Sequence, residues 1–137
     1  MRLAIAGAAG AMGRRLISAA LERDGVEVVG GTVRAGSAHE GADLGLLAGA
    51  GPIGVATSAD LALATAGADG VLDFTAPAYS VAIARHRAAR GLVHVNGTTG
   101  FSEAEDAAIA EAAASGRAVM VKSANMAFGV NLLAILV

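Results

Sequence analysis

The chain contains no cysteine, no tryptophan, a single tyrosine, three phenylalanines, two prolines and one lysine among 137 residues. Without cysteine there is neither a disulfide framework nor a thiolate nucleophile. That suits a reducing compartment, and a cytoplasmic location is expected. With only 3% aromatic residues, the core has to be filled by aliphatic side chains and alanine, and a hydrophobic content of 55% supplies them. Charge is scarce too. At 16% charged residues and a net charge of -2, the basic footprint of a nucleic-acid binder or an anionic-membrane binder is missing, so neither partner is expected. The late apolar run from Val130 to Val137 falls well short of the ~20 residues a membrane span needs. The short apolar run at the N-terminus passes straight into glycines, without the long core of a secretion signal. The length is that of one ordinary domain.

What is abundant is glycine, with 19 residues, and three of them organise the chain. Arg2-Leu3-Ala4-Ile5-Ala6 has strand character, Gly7-Ala8-Ala9-Gly10-Ala11-Met12-Gly13 spaces its glycines three apart, and a helical pattern follows without a break, expected over Ala11 to Arg23. A strand, a tight turn and a helix in that order make a phosphate-gripping device. Residues without a Cβ let an anion approach the backbone, and the free N–H groups of the first helical turn meet it along the helix dipole. A dinucleotide pyrophosphate fits that device.

A second strand is expected over Val26 to Val33. Its end is where dinucleotide-binding folds read the adenine ribose. Val33 and Arg34 stand there with no carboxylate for a 2′-hydroxyl, whereas a guanidinium can pair with a 2′-phosphate. The sequence therefore leans towards NADPH over NADH, the alternative being that Arg34 is a solvated loop residue. Residues 35–54 read as loop, with His39, Glu40 and Asp43 as solvated polar groups rather than metal ligands, so no metal site is expected. A short strand over Ile53 to Thr57 and a helix over Ser58 to Thr65, capped by Thr57 or Ser58, come next.

Gly70-Val71-Leu72-Asp73-Phe74-Thr75-Ala76-Pro77 reads as a buried parallel strand delivering a polar turn to the sheet edge. The helix from Ala78 to Arg90 turns Val81, Ile83 and Ala84 inward and Arg85, Arg87 and Arg90 towards water, with His86 as a surface residue and Gly91 as its stop. Leu92 to Asn96 is another strand. It ends in Gly97-Thr98-Thr99-Gly100-Phe101, whose amides and hydroxyls could hold a polar ligand group or form a plain turn. Ser102 and Glu105 make a capping box for a helix to Ser115, with Ala107, Ala108, Ile109, Ala112 and Ala113 as its packing face and Gly116 as its stop. A last strand over Arg117 to Lys122 leads to Ser123-Ala124-Asn125-Met126, where the Asn125 amide could bind a carboxamide. Lys122 reads as a solvated edge residue rather than a proton donor. From Val130 the pattern is helical and apolar. Alternating strands and helices with short connections give an α/β fold, a doubly wound parallel sheet of the Rossmann dinucleotide-binding type with about six strands.

Four segments together, Ala4 to Arg14, Asp73 to Pro77, Gly97 to Phe101 and Ser123 to Met126 leading into Gly129-Val130-Asn131, resemble the N-terminal coenzyme domain of the 4-hydroxy-tetrahydrodipicolinate reductases (dihydrodipicolinate reductases), enzymes of diaminopimelate and lysine synthesis. The resemblance implies that Gly7, Ala8, Ala9, Gly10, Ala11, Met12 and Gly13 hold the pyrophosphate. It implies that Gly97, Thr98, Thr99, Ser123, Ala124, Asn125 and Met126 border the nicotinamide and its ribose. It further implies a small cyclic dicarboxylate as substrate and a homotetramer as the intact enzyme. Members of the family often carry an acidic residue followed by Arg after the second strand, which supports use of both NADH and NADPH; here Val33 stands in place of the acid and Arg34 is kept, so NADPH is expected as the preferred coenzyme over NADH. The family's substrate domain, with its histidine-rich stretch and catalytic lysine, has no counterpart here. Residues 1–129 are thus expected to be the coenzyme domain and residues 130–137 the truncated start of a hinge or substrate segment, with no catalytic residue in this chain and no activity by itself. Another dehydrogenase with the same front end, of the aspartate or homoserine type, and a nucleotide-sensing module remain the alternatives. The apolar end at Leu132 to Val137 also suggests self-association.

Overall fold

A computed structural model describes residues 1–115 and 119–123 of the chain. Expectations that rest on Gly116, on Ala124, Asn125 and Met126, and on the segment from Val130 lie outside the described residues.

Six parallel strands form one sheet: β1 (Arg2–Ala6), β2 (Glu27–Thr32), β3 (Thr57–Ser58), β4 (Gly70–Asp73), β5 (Val93–Asn96) and β6 (Met120–Lys122), in the order β3-β2-β1-β4-β5-β6. Five helices connect them: α1 (Ala11–Leu21), α2 (Leu44–Ala48), α3 (Leu61–Ala64), α4 (Pro77–Arg90) and α5 (Glu103–Ser115). The order reverses between β1 and β4. After β2 and β3 have been added on one side of β1, the chain crosses over and adds β4, β5 and β6 on the other. In such sheets the loops at the carboxyl ends part at the reversal and leave a crevice.

The core is aliphatic, as the scarcity of aromatics requires. Ile5, Ala8, Ile17, Ala20, Val28 and Leu44 pack on one side of the sheet, Ala4, Ala6, Val71, Ile83 and Leu92 on the other, and Val81, Ala84, Ile109 and Ala112 join α4 to α5. Glycine lets helices come unusually close. A Cβ at Gly30 would lie 1.9 Å from the carbonyl oxygen of Ala64 at the end of α3.

Several expectations are corrected. The segment 35–54 is not all loop, because Asp43 caps α2 by accepting from the N–H groups of Gly45 and Leu46 at 2.8 and 3.1 Å. A five-residue helix is too short to show a period, so only its cap could have revealed it. The same carboxylate takes the N–H groups of Ile53 and Gly54. Those donors are then committed to Asp43 rather than to a sheet ladder, and the strand expected at Ile53 shrinks to Thr57–Ser58. The next helix begins at Leu61, capped by Asp60 rather than by Thr57 or Ser58, whose hydroxyls serve His39 O and Asp60 N.

Arg87 does not face water. It is fully buried and donates to the Ala112 carbonyl of α5 at 3.1 Å. His86 is half-buried, its Nε2 lying 2.8 Å from the Thr65 hydroxyl. Ala107 is exposed, whereas Ile109 and Ala112 carry the packing of α5. The capping box is present, with Ser102 N–H on Glu105 at 2.9 Å and Glu105 N–H on the Ser102 hydroxyl at 3.3 Å. Lys122 is not merely solvated, since its ammonium pairs with Asp106 and stands 4.0 Å from the centre of the Phe101 ring.

Candidate coenzyme site

Each glycine of the first loop has its own physical reason. Gly7 has φ +66, a left-handed conformation that favours glycine, and it turns the chain out of β1. A Cβ at Gly10 would stand 3.2 Å from Gly7 O. A Cβ at Gly13 would stand 2.3 Å from Gly7 O and within 3 Å of the Ala8 backbone, so α1 can rest on the loop only because Gly13 has no side chain. Gly10 is the N-cap of α1 and offers no side-chain cap. The first-turn N–H groups, which a cap would otherwise take, are left for an external acceptor, and the helix dipole favours an anion there.

Arg14, one turn into α1, holds the loop from outside. Its Nε donates to Ala9 O at 2.9 Å and its Nη1 to Leu47 O at 2.8 Å, so this guanidinium joins the loop to α2. Ala8 is buried, and its N–H donates to Thr32 O at 2.8 Å. Gly7, Ala9 and Gly10 line a cavity of ≈ 940 Å³ at the strand reversal, Ala11 and Met12 are exposed at the start of α1, and Gly13 lies beneath at the packing contact.

The cavity's far wall runs from Thr32 through Arg34 to Ser37, with Phe74, Thr75 and Tyr79 opposite. Arg34 is exposed there, which suits both a reading role and a solvated loop residue. The sequence shows no carboxylate at the strand end, but the fold brings one round, because Glu40 accepts from Gly36 N–H at 3.2 Å.

Gly97, Thr98 and Thr99 follow β5, outside the walls of this cavity but on the same edge of the sheet. Thr99 is exposed. Thr98 is buried and its hydroxyl is engaged inward, accepting from Thr75 N–H at 2.9 Å and from the Ser80 hydroxyl at 3.0 Å. Ser123 comes directly after β6 and donates its N–H to Asn96 O at 3.0 Å, so the third loop starts beside the second.

Reading the sequence by segments missed the polar cluster under these loops. Asp73, His94 and Asn96 are all fully buried, and the Asp73 carboxylate takes hydrogen bonds from both of the others at 3.0 Å. The signal was available, since His94 and Asn96 are two apart on a strand and so share a face. Burial pushes the Asp73 carboxyl up, but hydrogen bonds from His94, Thr75 and Ser80 outweigh it and hold it below the ordinary carboxylate range. A group whose pKa is depressed by folding stabilises the fold above its unfolded value and loses that contribution as pH falls through the folded one. The melting temperature is therefore expected to fall steeply below about pH 4, and less steeply in Asp73→Asn. Parallel acid profiles for the two proteins, measured by circular dichroism, would contradict this.

A parallel sheet reversing at β1 and β4, with an uncapped, glycine-lined helix N-terminus over the reversal, defines a Rossmann-type nucleotide-binding domain. Residues 1–126 match the family described as "Dihydrodipicolinate reductase, N-terminus", and the chain belongs to that family. Curated relatives named 4-hydroxy-tetrahydrodipicolinate reductase include one from Afipia carboxidovorans, 51% identical over 137 residues, and one from Beijerinckia indica, 52% identical over 137 residues. In both cases the match takes in 100% of this chain and 50% of the relative, so the chain spans about half the length of the curated relatives it matches. A solved structure of a dipicolinate-bound dihydrodipicolinate reductase from a Paenisporosarcina species superposes with a TM-score of 0.75 at 21% identity, covering 97% of this chain and 50% of that one. That likeness establishes the fold.

Proposed function

We propose that this chain is the coenzyme-binding part of a 4-hydroxy-tetrahydrodipicolinate reductase, preferring NADPH and accepting NADH. The observation that carries the reading is the uncapped N-terminus of α1, seated on Gly7 and Gly13 at the mouth of a cavity large enough for a nucleotide. Gly7, Ala9, Gly10, Ala11 and Met12 would hold the pyrophosphate, with Ala8 and Gly13 shaping the loop from below. Arg34 would read a 2′-phosphate. Gly97, Thr98 and Thr99 with Ser123, Ala124, Asn125 and Met126 would border the nicotinamide. The coenzyme, when bound, supplies a hydride for reduction of a cyclic imine dicarboxylate. This chain's own part is to position it, leaving the proton to residues outside residues 1–137. In this reading residues 1–129 are the coenzyme unit and residues 130–137 lead towards a substrate domain, in a homotetramer of the cytoplasm.

Support for the NADPH preference comes from the turn after β2. The exposed Arg34 guanidinium on the cavity wall supplies the charge a 2′-phosphate needs, and it has to outweigh the Glu40 carboxylate, which takes the Gly36 N–H of the same turn. Arg34→Ala is expected to weaken NADPH binding about tenfold or more while leaving NADH within about twofold, read by fluorescence titration of the reduced nicotinamide. Equal losses for the two coenzymes, or none, would remove Arg34 from this role.

A further inference from the structure

Buried ionisable groups are costly, and a hydrophobic replacement in a core is often no less stable. The placement of Asp73 therefore calls for a reason. Its Oδ1 accepts from Thr75 N–H at 3.2 Å, from the Thr75 hydroxyl at 2.6 Å and from the Thr98 hydroxyl at 3.3 Å. Its Oδ2 accepts from His94 Nε2 and from Asn96 Nδ2, both at 3.0 Å. Asn96 in turn accepts from Thr98 N–H at 2.9 Å, and the Asp73 backbone carbonyl accepts from Gly97 N–H at 2.8 Å. One residue thus fastens the loop after β4 to the loop after β5, through both its backbone and its side chain.

The two loops it fastens also touch the rest of the site. The Thr75 methyl lies against the first glycine loop, where a Cβ at Gly7 would come within 2.9 Å of it. The Phe74 ring covers Gly97 so closely that a Cβ there would lie 2.1 Å from it. Phe74 and Thr75 both line the cavity, whereas Asp73, His94 and Asn96 are completely shielded and do not. The carboxylate is therefore placed to set the spacing of the walls without meeting what binds between them. Every oxygen and amide nitrogen of this network is paired, His94 Nδ1 alone being without a hydrogen-bond partner among the described residues, and such directional bonds impose a single geometry where interchangeable apolar contacts would allow several.

We propose that Asp73 is a positioning residue that, through Thr75 and Thr98, holds the Gly97 to Thr99 loop at the distance from the glycine loop that receives the nicotinamide half of a dinucleotide. The inference rests on the nucleotide-binding reading of the cavity. It separates the two halves of the ligand. The adenine and pyrophosphate half meets Gly7 to Gly13 and Arg34, which Asp73 does not hold by hydrogen bonds. The nicotinamide half extends to the loop that it does hold.

The test compares NADPH with 2′-phospho-ADP-ribose, which lacks only the nicotinamide, by calorimetry on the full chain. Unmodified protein is expected to bind NADPH about tenfold more tightly than the truncated ligand. Asp73→Asn and Thr98→Val are expected to abolish that difference, with the affinity for 2′-phospho-ADP-ribose kept within about twofold, and Thr98→Ser is expected to restore it. Thr98→Val is isosteric and keeps the charge, so it carries the test if Asp73→Asn does not fold. Equal weakening of both ligands, or an unchanged preference for NADPH in folded Thr98→Val, would overturn the positioning role. Failure of the unmodified protein to bind either ligand would overturn the nucleotide reading beneath it.

Discussion

Gly13→Val is expected to lower stability by at least about 3 kcal/mol and to weaken dinucleotide binding by about a hundredfold or more. The new side chain would begin 2.3 Å from Gly7 O and 2.8 and 2.9 Å from the Ala8 Cα and O, all three of them backbone atoms that cannot rotate away. Relief requires α1 to lift from the loop. That movement carries the first-turn N–H groups away from the anion position and pulls Ile17, which is fully buried, from its contacts with Ile5 and Leu44. Melting curves and NADPH titration of the same preparation read both effects. A variant that binds within threefold of the unmodified protein would show that α1 does not depend on this contact.

The second large effect is expected at Arg87. Its side chain is the largest fully buried one among the described residues, and its Nη2 reaches across to Ala112 O, tying α4 to α5 beside Val81, Ala84 and Ile109. Truncation combines a cavity with a carbonyl that loses its charged donor. Arg87→Ala is therefore expected to cost about 4 kcal/mol and Arg87→Met, which fills the volume but not the hydrogen bond, about 2 kcal/mol. Urea unfolding of the two variants gives the comparison. Losses below about 1 kcal/mol in both would mean that the α4 and α5 contact is apolar in substance and the guanidinium incidental.

How far the sequence could be read follows from the length of each signal. The alternation of strand and helix and the three-glycine loop were legible because each involves a dozen or more residues with a consistent pattern. The capping box at Ser102 and Glu105 was legible because its two partners are three residues apart. Where the determining partner is distant, local reading failed. Arg87 sits in a helix with Arg85 and Arg90 and looks solvated like them until α5 folds over it. Asp43 looks like a loop carboxylate until the chain returns at Ile53 and Gly54 to donate to it. Asp73, His94 and Asn96 lie on neighbouring strands, with Asp73 opposite Asn96 in the register. No single-strand pattern shows that pairing, although the two-residue spacing of His94 and Asn96 hinted at a shared face.

The site divides in the same way. Gly7 to Gly13 was read from its spacing, and Arg34 from its position at a strand end. Glu40 reaches the same turn only through a bend that the sequence does not spell out. Two hydroxyls between two glycines at a strand end read as a place for a polar ligand group or as a plain turn, and the Thr98 hydroxyl is engaged with Asp73, Thr75 and Ser80. Under the proposed function its contribution to binding would be one of geometry, and the exposed Thr99 and the backbone of the loop would face the ligand.

On the proposed function, this chain binds a nicotinamide dinucleotide at the strand reversal between β1 and β4. The most direct test is calorimetric titration of the chain with NADPH and with NADH at one fixed salt concentration. One site is expected, with a dissociation constant on the order of micromolar for NADPH and weaker binding of NADH. No heat from either coenzyme, in a sample whose circular dichroism and cooperative melting show it folded, would mean that this cavity is not a dinucleotide site.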